Sequence, residues 1–144
     1  EGNSEFSPDG KWVAYQSDES GGARIYVHSF PDITGQRSIS PGPGTDPAWS
    51  PDGNTIYYRN GSQFLSVDLT FEPSFSVSSP KLLFEEEAYT RQIVNGWVSN
   101  WDIHPDGENF VVVVTTGAGA SGSALGEIHL VVNWFEELIA RTDG

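Results

Sequence analysis

Short apolar runs recur along the chain, and each follows a turn-like tetrapeptide. The apolar runs cover residues 12–15, 56–58 and 110–114. The tetrapeptides are Ser-Pro-Asp-Gly at 7–10 and 50–53, and His-Pro-Asp-Gly at 104–107. Proline presets φ near about −65°, aspartate bonds nearby backbone amides and glycine accepts positive φ, so each tetrapeptide predicts a tight turn. An aromatic residue lies shortly before each turn, at Phe6, Trp49 and Trp101. The repeated unit is therefore strand, turn, strand.

The Pro, Asp and Gly residues of these turns are assigned a structural role. They are Pro8, Asp9, Gly10, Pro51, Asp52, Gly53, Pro105, Asp106 and Gly107. Turn chemistry accounts for each aspartate without a bound metal. We therefore expect turn formers here and no metal ligands.

The spacing of the turns indicates a propeller. Asp9 and Asp52 are 43 positions apart, close to the roughly 40 to 45 residues of a four-stranded blade, whereas Asp52 and Asp106 are 54 apart. We predict an all-β fold of about three four-stranded antiparallel blades: blade one over 3–40, blade two over 46–84 with an insertion at 70–98, and blade three over 98–133. The strands are expected near 3–6, 11–17, 24–29, 36–40, 46–50, 55–60, 63–69, 81–84, 98–103, 109–116 and 127–133.

One short helix is predicted at the C-terminal end. Asn133 and Glu136 have the spacing of a helix N-cap and its capping-box partner, ahead of the apolar Leu138 and Ile139. This spacing predicts a helix over 134–141.

Composition and charge narrow the classes of partner. Hydrophobic residues make up 37% of the chain, with 16 glycines and nine prolines, which favours short strands and tight turns over disorder. The net charge of −13 would repel phosphate backbones and anionic lipid surfaces. No apolar run approaches the roughly 18 to 20 residues of a membrane span. We therefore expect no nucleic acid and no membrane insertion.

Cysteine is absent, which excludes disulfides and thiolate catalysis, and methionine is absent, so we expect that Glu1 is not a translation start.

The repeated Ser-Pro-Asp-Gly turns followed by apolar strands resemble the TolB-like, WD-repeat-like β-propeller family. The segments 12–21 (WVAYQSDESG), 45–53 (TDPAWSPDG) and 132–138 (VNWFEEL) are similar to blades at the C-terminal end of bacterial membrane-anchored serine/threonine kinases. The resemblance implies a ring of about six blades, of which this segment is the C-terminal part. It also implies a non-catalytic sensor or protein-interaction module in the periplasm or outside the cell. The kinase motifs themselves are absent from these residues.

Other motifs are better explained by structure. Residues 117–122 have a G-x-G-x-x-G spacing, but a strand follows too soon for the helix that dinucleotide binding needs. His28, His104 and His129 lie on different elements, and residues 85–87 (EEE) are read as a solvated acidic loop. Asn60 begins a glycosylation sequon at an expected hairpin turn, so it is a candidate glycosylation site. We expect no enzyme activity, cofactor or metal.

Partner binding is assigned to aromatic and basic residues of the insertion at 70–98, because insertions on one face of a repeat array tend to carry binding. The candidates are Phe71, Phe75, Tyr89, Arg91 and Trp97. Three blades do not close a propeller, so further blades must come from the same polypeptide or from other subunits of a homo-oligomer. The alternative functions are a self-assembling ring or filament and, with less support, a propeller enzyme.

Overall fold

The computed structural model of the chain describes residues 2–32, 35–86, 101–115 and 126–131. These residues form three antiparallel sheets of short strands. The first sheet contains β1 (Gly2–Phe6), β2 (Trp12–Ser17), β3 (Arg24–Ser29) and β4 (Arg37–Ser38). The second contains β5 (Thr45–Trp49), β6 (Thr55–Asn60), β7 (Gln63–Thr70), β8 (Ser76–Val77) and β9 (Lys81–Glu85), and the third contains β10 (Trp101–Ile103), β11 (Phe110–Thr115) and β12 (Gly126–Val131).

The first and third sheets are meanders in which consecutive strands pair, and the second departs from this order only at β9. The orders are β1-β2-β3-β4 in the first sheet and β10-β11-β12 in the third. In the second sheet β5, β6 and β7 pair in order, and β7 then pairs along its length with both β8 and β9. The described part of the chain is all-β, with antiparallel sheets of four, five and three strands, which confirms the predicted all-β fold class. The predicted helix at 134–141 lies outside the described residues, and the blade boundaries stay predictions.

The insertion in blade two begins with a small excursion at the sheet edge. The chain leaves β7 after Thr70, returns as β8 opposite Leu69, and then forms β9 opposite residues 63–66. The fourth strand therefore lies where the sequence predicted it, and the excursion adds β8. Residues 87–100 of the insertion lie outside the described residues.

The tetrapeptide turns connect the first two strands of every sheet and are closed in the same way. The Gly10 amide donates to the Ser7 carbonyl at 2.8 Å, and the Gly53 amide donates to the Ser50 carbonyl at 2.9 Å. The serine hydroxyls also donate to the aspartates, at 2.7 Å for Ser7 to Asp9 and 2.6 Å for Ser50 to Asp52. The third turn has the same backbone bond, at 2.9 Å between the Gly107 amide and the His104 carbonyl. Local bonds thus determine the turns.

The hydrophobic core lies between the sheets. We call the interface of the first and second sheets the first junction. On the first sheet it buries Ala14, Ile25, Val27 and Ile39, and on the second sheet Trp49, Ile56, Tyr58, Val67 and Leu69. The interface of the second and third sheets buries Phe64, Leu83, Trp101, Phe110 and Val112. Alternate residues of each strand enter a junction because successive side chains of a strand point to opposite faces.

Neighbouring turns also touch one another. A Cβ built on Gly53 would lie 3.5 Å from Cδ of Pro8, and one built on Gly107 would lie 3.8 Å from Cδ of Pro51. Both glycines have positive φ, of 73° and 75°. The proline of one turn thus packs against the glycine of the next turn, outside the sheets.

Candidate functional site

A groove opens between the first and second turns. Its volume is about 330 Å³, and it is lined by Pro8, Asp9, Trp12, Asp52, Asn54 and Phe71, together with Gly53. The two aspartates are exposed and the two aromatic side chains are half-buried. We call this cavity the turn groove. It combines carboxylates at its rim with aromatic walls.

The turn aspartates are held in the ionised form. The pKa of Asp9 is lowered, first because the Ser7 hydroxyl donates to the carboxylate and then because the Lys11 amide does. The pKa of Asp52 is lowered in the same way by Ser50 and by the Asn54 amide. Hydrogen bonds to the charged form favour ionisation. Both aspartates that line the turn groove therefore carry full negative charge at neutral pH.

The aromatic wall of the turn groove continues into a cluster of three rings. Phe71 and Phe75, predicted to bind a partner, lie 5.0 and 5.5 Å from the ring of Trp12, between ring centroids. The two phenylalanines come from the excursion of the second sheet and pack against β2 of the first. The guanidinium carbon of Arg37 lies 4.8 Å from the ring centroid of Phe75, a cation–π contact. The cluster therefore already holds one guanidinium. The other predicted partner-binding residues, Tyr89, Arg91 and Trp97, lie outside the described residues.

A polar network that sequence reasoning missed connects β1 of the first sheet with β5 and β6 of the second. Asp46 accepts hydrogen bonds from Nε and Nη2 of Arg59, at 3.0 and 2.9 Å, and from Nδ2 of Asn3 at 2.6 Å. The Arg59 and Asp46 side chains are only 13% and 9% exposed. Asn3 and Asp46 both have positive φ, 45° and 52°, at irregularities in β1 and β5. Asparagine and aspartate tolerate this conformation better than most residues.

Glu5 also bonds across the first junction. Its carboxylate accepts the Trp49 amide at 3.0 Å, and its carbonyl accepts the Trp49 indole N–H at 3.2 Å. Burial raises the pKa of Glu5, the Trp49 bond lowers it, and the charge of Asp102 raises it again. This carboxylate acts within the junction as a hydrogen-bond acceptor.

The outer face of the first sheet carries large exposed side chains. Phe6 and Phe30 are 53% and 46% exposed, and their rings meet edge to face at 5.0 Å. Beside them Tyr15 stacks on Tyr26 at 5.9 Å and approaches His28 at 5.3 Å. An open cavity of about 530 Å³ on this face is lined by Gly2, Ser4, Val13, Tyr15, Glu19, His28 and Gln36. We call this surface the outer face.

The outer face corresponds, position by position, to a buried face of the second sheet. Phe6 pairs with Val13 in the first sheet as Trp49 pairs with Ile56 in the second. The β2–β3 pairs of the first sheet match the β6–β7 pairs of the second in the same way: Val13 and His28 with Ile56 and Val67, and Tyr15 and Tyr26 with Tyr58 and Leu65. In the second sheet Trp49, Ile56, Tyr58 and Val67 are at most 4% exposed.

The remaining predicted sites are placed as follows. Asn60 ends β6 next to Gly61, whose φ is 63°, so the sequon lies at the β6–β7 hairpin. The described ranges contain no group of three or more His, Asp or Glu residues arranged to hold a metal ion. Across the same ranges, no helix is long and apolar enough to span a bilayer.

Comparisons with known proteins establish the fold. No family model and no curated protein matches the chain. Among solved structures, TolB from Acinetobacter baumannii has a TM-score of 0.58 and 22% identity, over 92% of this chain and 30% of that chain. An oligogalacturonate lyase from Vibrio parahaemolyticus has a TM-score of 0.51 and 16% identity, over 76% of this chain and 27% of that chain. The chain therefore has a TolB-like β-propeller fold and spans less than a third of either structure.

Proposed function

We propose that these residues are part of a larger propeller ring that serves as a non-catalytic interaction or sensor module. The observation that carries the proposal is the outer face, where exposed aromatic residues occupy the positions that the second sheet buries at the first junction. The occupant that fits this face is another four-stranded blade, presenting small and branched residues as Ala14, Ile25 and Val27 do at the first junction. Burial of apolar surface of this kind is the main favourable term in such packing.

The non-catalytic part of the proposal rests on how the carboxylates are used. Asp9, Asp52 and Asp106 accept hydrogen bonds within their own turns, and Glu5 accepts bonds from Trp49 across the first junction. The lowered pKa values of the three turn aspartates thus follow from bonds that close the turns, and structural hydrogen bonds shift pKa values as catalytic sites do. The lyase likeness concerns the fold alone and supplies no reaction for this chain.

The setting of the module is also a proposal. The resemblance of residues 12–21, 45–53 and 132–138 to kinase-associated blades supports a position in the C-terminal part of a longer bacterial cell-envelope protein, in the periplasm or outside the cell. A self-assembling ring or filament is the second candidate, because a blade from another subunit would cover the outer face equally well.

The test replaces both exposed phenylalanines, Phe6→Ala with Phe30→Ala, and uses Leu82→Ala as the matched control. Leu82 is 46% exposed, like Phe30, but lies on β9 of the second sheet. If a blade covers the outer face, each phenylalanine should cost about 3 kcal/mol or more of unfolding free energy, as buried phenylalanines do. Leu82→Ala should stay within about 0.5 kcal/mol.

The solution mass separates the two sources of the covering blade. A loss of stability at unchanged mass places the blade in the same polypeptide, and dissociation into smaller species places it in another subunit. If the double variant loses no more stability than Leu82→Ala and keeps its mass, the outer face is bare and the proposal is wrong.

A further inference from the structure

The turn groove is a second surface, independent of the outer face. It lies between two consecutive turns, and none of its lining residues belongs to the outer face. Its floor is made by Trp12 and Phe71, which are half-buried, and its rim carries the carboxylates of Asp9 and Asp52. Aromatic walls with carboxylates above them suit a ligand that is both flat and positively charged.

The charge distribution of the chain favours a cation in the turn groove. The chain has 20 acidic and seven basic residues. The cation that the structure places at the rim is Lys11, whose Nζ is 3.5 Å from Asp9 and whose side chain is 75% exposed. An ion pair so exposed contributes little and is readily exchanged for another.

The aromatic cluster itself indicates which cation fits. Arg37 already lies over Phe75 at one end of the cluster, at a distance typical of cation–π contact. Trp12 and Phe71 form the other end and face the turn groove. Guanidinium groups stack on aromatic rings and bond carboxylates with two parallel hydrogen bonds, which an ammonium group cannot do.

We propose that the turn groove binds an arginine side chain of a protein partner, with the guanidinium stacked on Trp12 and Phe71 and bonded to Asp9 and Asp52. A volume of about 330 Å³ matches one long side chain and lies at the lower end of ligand pockets. This surface would give the module a partner of defined chemistry, an arginine-containing peptide segment, beyond the packing of blades.

The experiment titrates the full-length protein with N-acetyl-arginine amide and follows the indole N–H signal of Trp12 by NMR, assigned with a Trp12→Phe variant. N-acetyl-citrulline amide, which has the same shape without the charge, is the matched ligand. We expect a saturable shift with arginine, and affinity for citrulline lower by about tenfold, since hydrogen bonds to charged groups have about that effect.

Protein variants provide the second comparison. The double variant Asp9→Asn with Asp52→Asn retains the turn hydrogen-bond acceptors and should bind arginine about tenfold more weakly. Asp106→Asn makes the same change in the third turn, outside the turn groove, and should alter affinity less than twofold. The turn groove and the outer face have no residue in common, so the arginine titration of the unaltered protein does not depend on whether a blade covers the outer face.

Three results would overturn the proposal. The first is equal affinity for the arginine and citrulline compounds. The second is an equal loss of affinity in Asp106→Asn and in the double variant, which would mean that arginine responds only to the overall negative charge of the protein. The third is a Trp12 signal that does not move with arginine while the protein remains folded by near-ultraviolet circular dichroism.

Discussion

Replacing Asp46 tests whether the polar network across the first junction stabilises the fold. Asp46 accepts two hydrogen bonds from Arg59 and one from Asn3 of the neighbouring sheet. Removing the carboxylate takes away the acceptor of two hydrogen bonds from the guanidinium of Arg59, a side chain that is only 13% exposed. Breaking a buried pair in this way costs about 3–5 kcal/mol, and we expect about 3 kcal/mol because Arg59 retains some contact with water.

The backbone adds a separate cost that depends on the replacement. Asp46 has a φ of 52°, a conformation that costs alanine about 1–2 kcal/mol, whereas glycine adopts it without strain but loses about 0.5–1 kcal/mol of backbone entropy on folding. Asp46→Ala should therefore lose about 4–5 kcal/mol and Asp46→Gly about 3.5–4 kcal/mol. Asp46→Asn retains a side chain suited to this φ and loses only the charge, so about 1–2 kcal/mol is expected.

The assay is urea unfolding followed by tryptophan fluorescence, with the unfolding slope used to check that only stability has changed. Asp18→Ala is the control, because Asp18 is exposed in the connection after β2 and should change stability by less than about 0.5 kcal/mol. An Asp46→Ala variant that is more stable than Asp46→Gly would refute the backbone part of the reasoning. A loss below about 1 kcal/mol in both variants would refute the ion-pair part.

Two further predictions concern a close approach and a turn. Gly44→Ala should destabilise the fold by about 1–3 kcal/mol in the same assay, because a Cβ there would meet Ile25, Ser40 and Tyr58 at 3.0–3.1 Å; an unchanged midpoint would mean that the junction can yield. Bonds from the Glu108 amide and from Asn109 lower the pKa of Asp106 to about 2. The pKa of Asp106 is lower in the folded protein than in the unfolded one, so its ionised carboxylate stabilises the fold above about pH 4. This stabilisation is lost as the pH falls towards 2. Acid titration should therefore show a smaller loss of stability in that range for Asp106→Asn, and identical acid curves would contradict the assignment.

The sequence predicts those parts of the fold that depend on local chemistry. The turns follow from the Ser-Pro-Asp-Gly pattern because their bonds join residues two or three positions apart, and the strands follow from the apolar runs after them. Sequence alone also located β9, the fourth strand of blade two, because its apolar residues follow a turn-rich connection.

The polar network was missed because it depends on contacts between residues 43 positions apart. A signal for it exists in the repeat: Asn3 and Asp46 both lie four positions before a turn serine, and Asn100 lies four positions before His104. A polar residue in an otherwise strand-like segment was not enough to predict positive φ. The sequence predicts the insertion but not its packing, for the same reason. Nothing local indicates that Phe71 and Phe75 fold back onto Trp12 of the first sheet.

The matching of the outer face to the buried face of the second sheet has a consequence for how such a chain can change over evolution. The same repeat position faces the same side in the first two units: Ile56 packs against the first sheet, and Val13 lies on the outer face. Duplicating or deleting one whole unit of 43 residues would therefore restore a complementary junction at the splice without any new side chains. A one-residue insertion or deletion inside a strand would instead shift the strand register and turn polar side chains towards the core. Changes in ring size by whole units are thus far more accessible to this architecture than internal insertions within a strand.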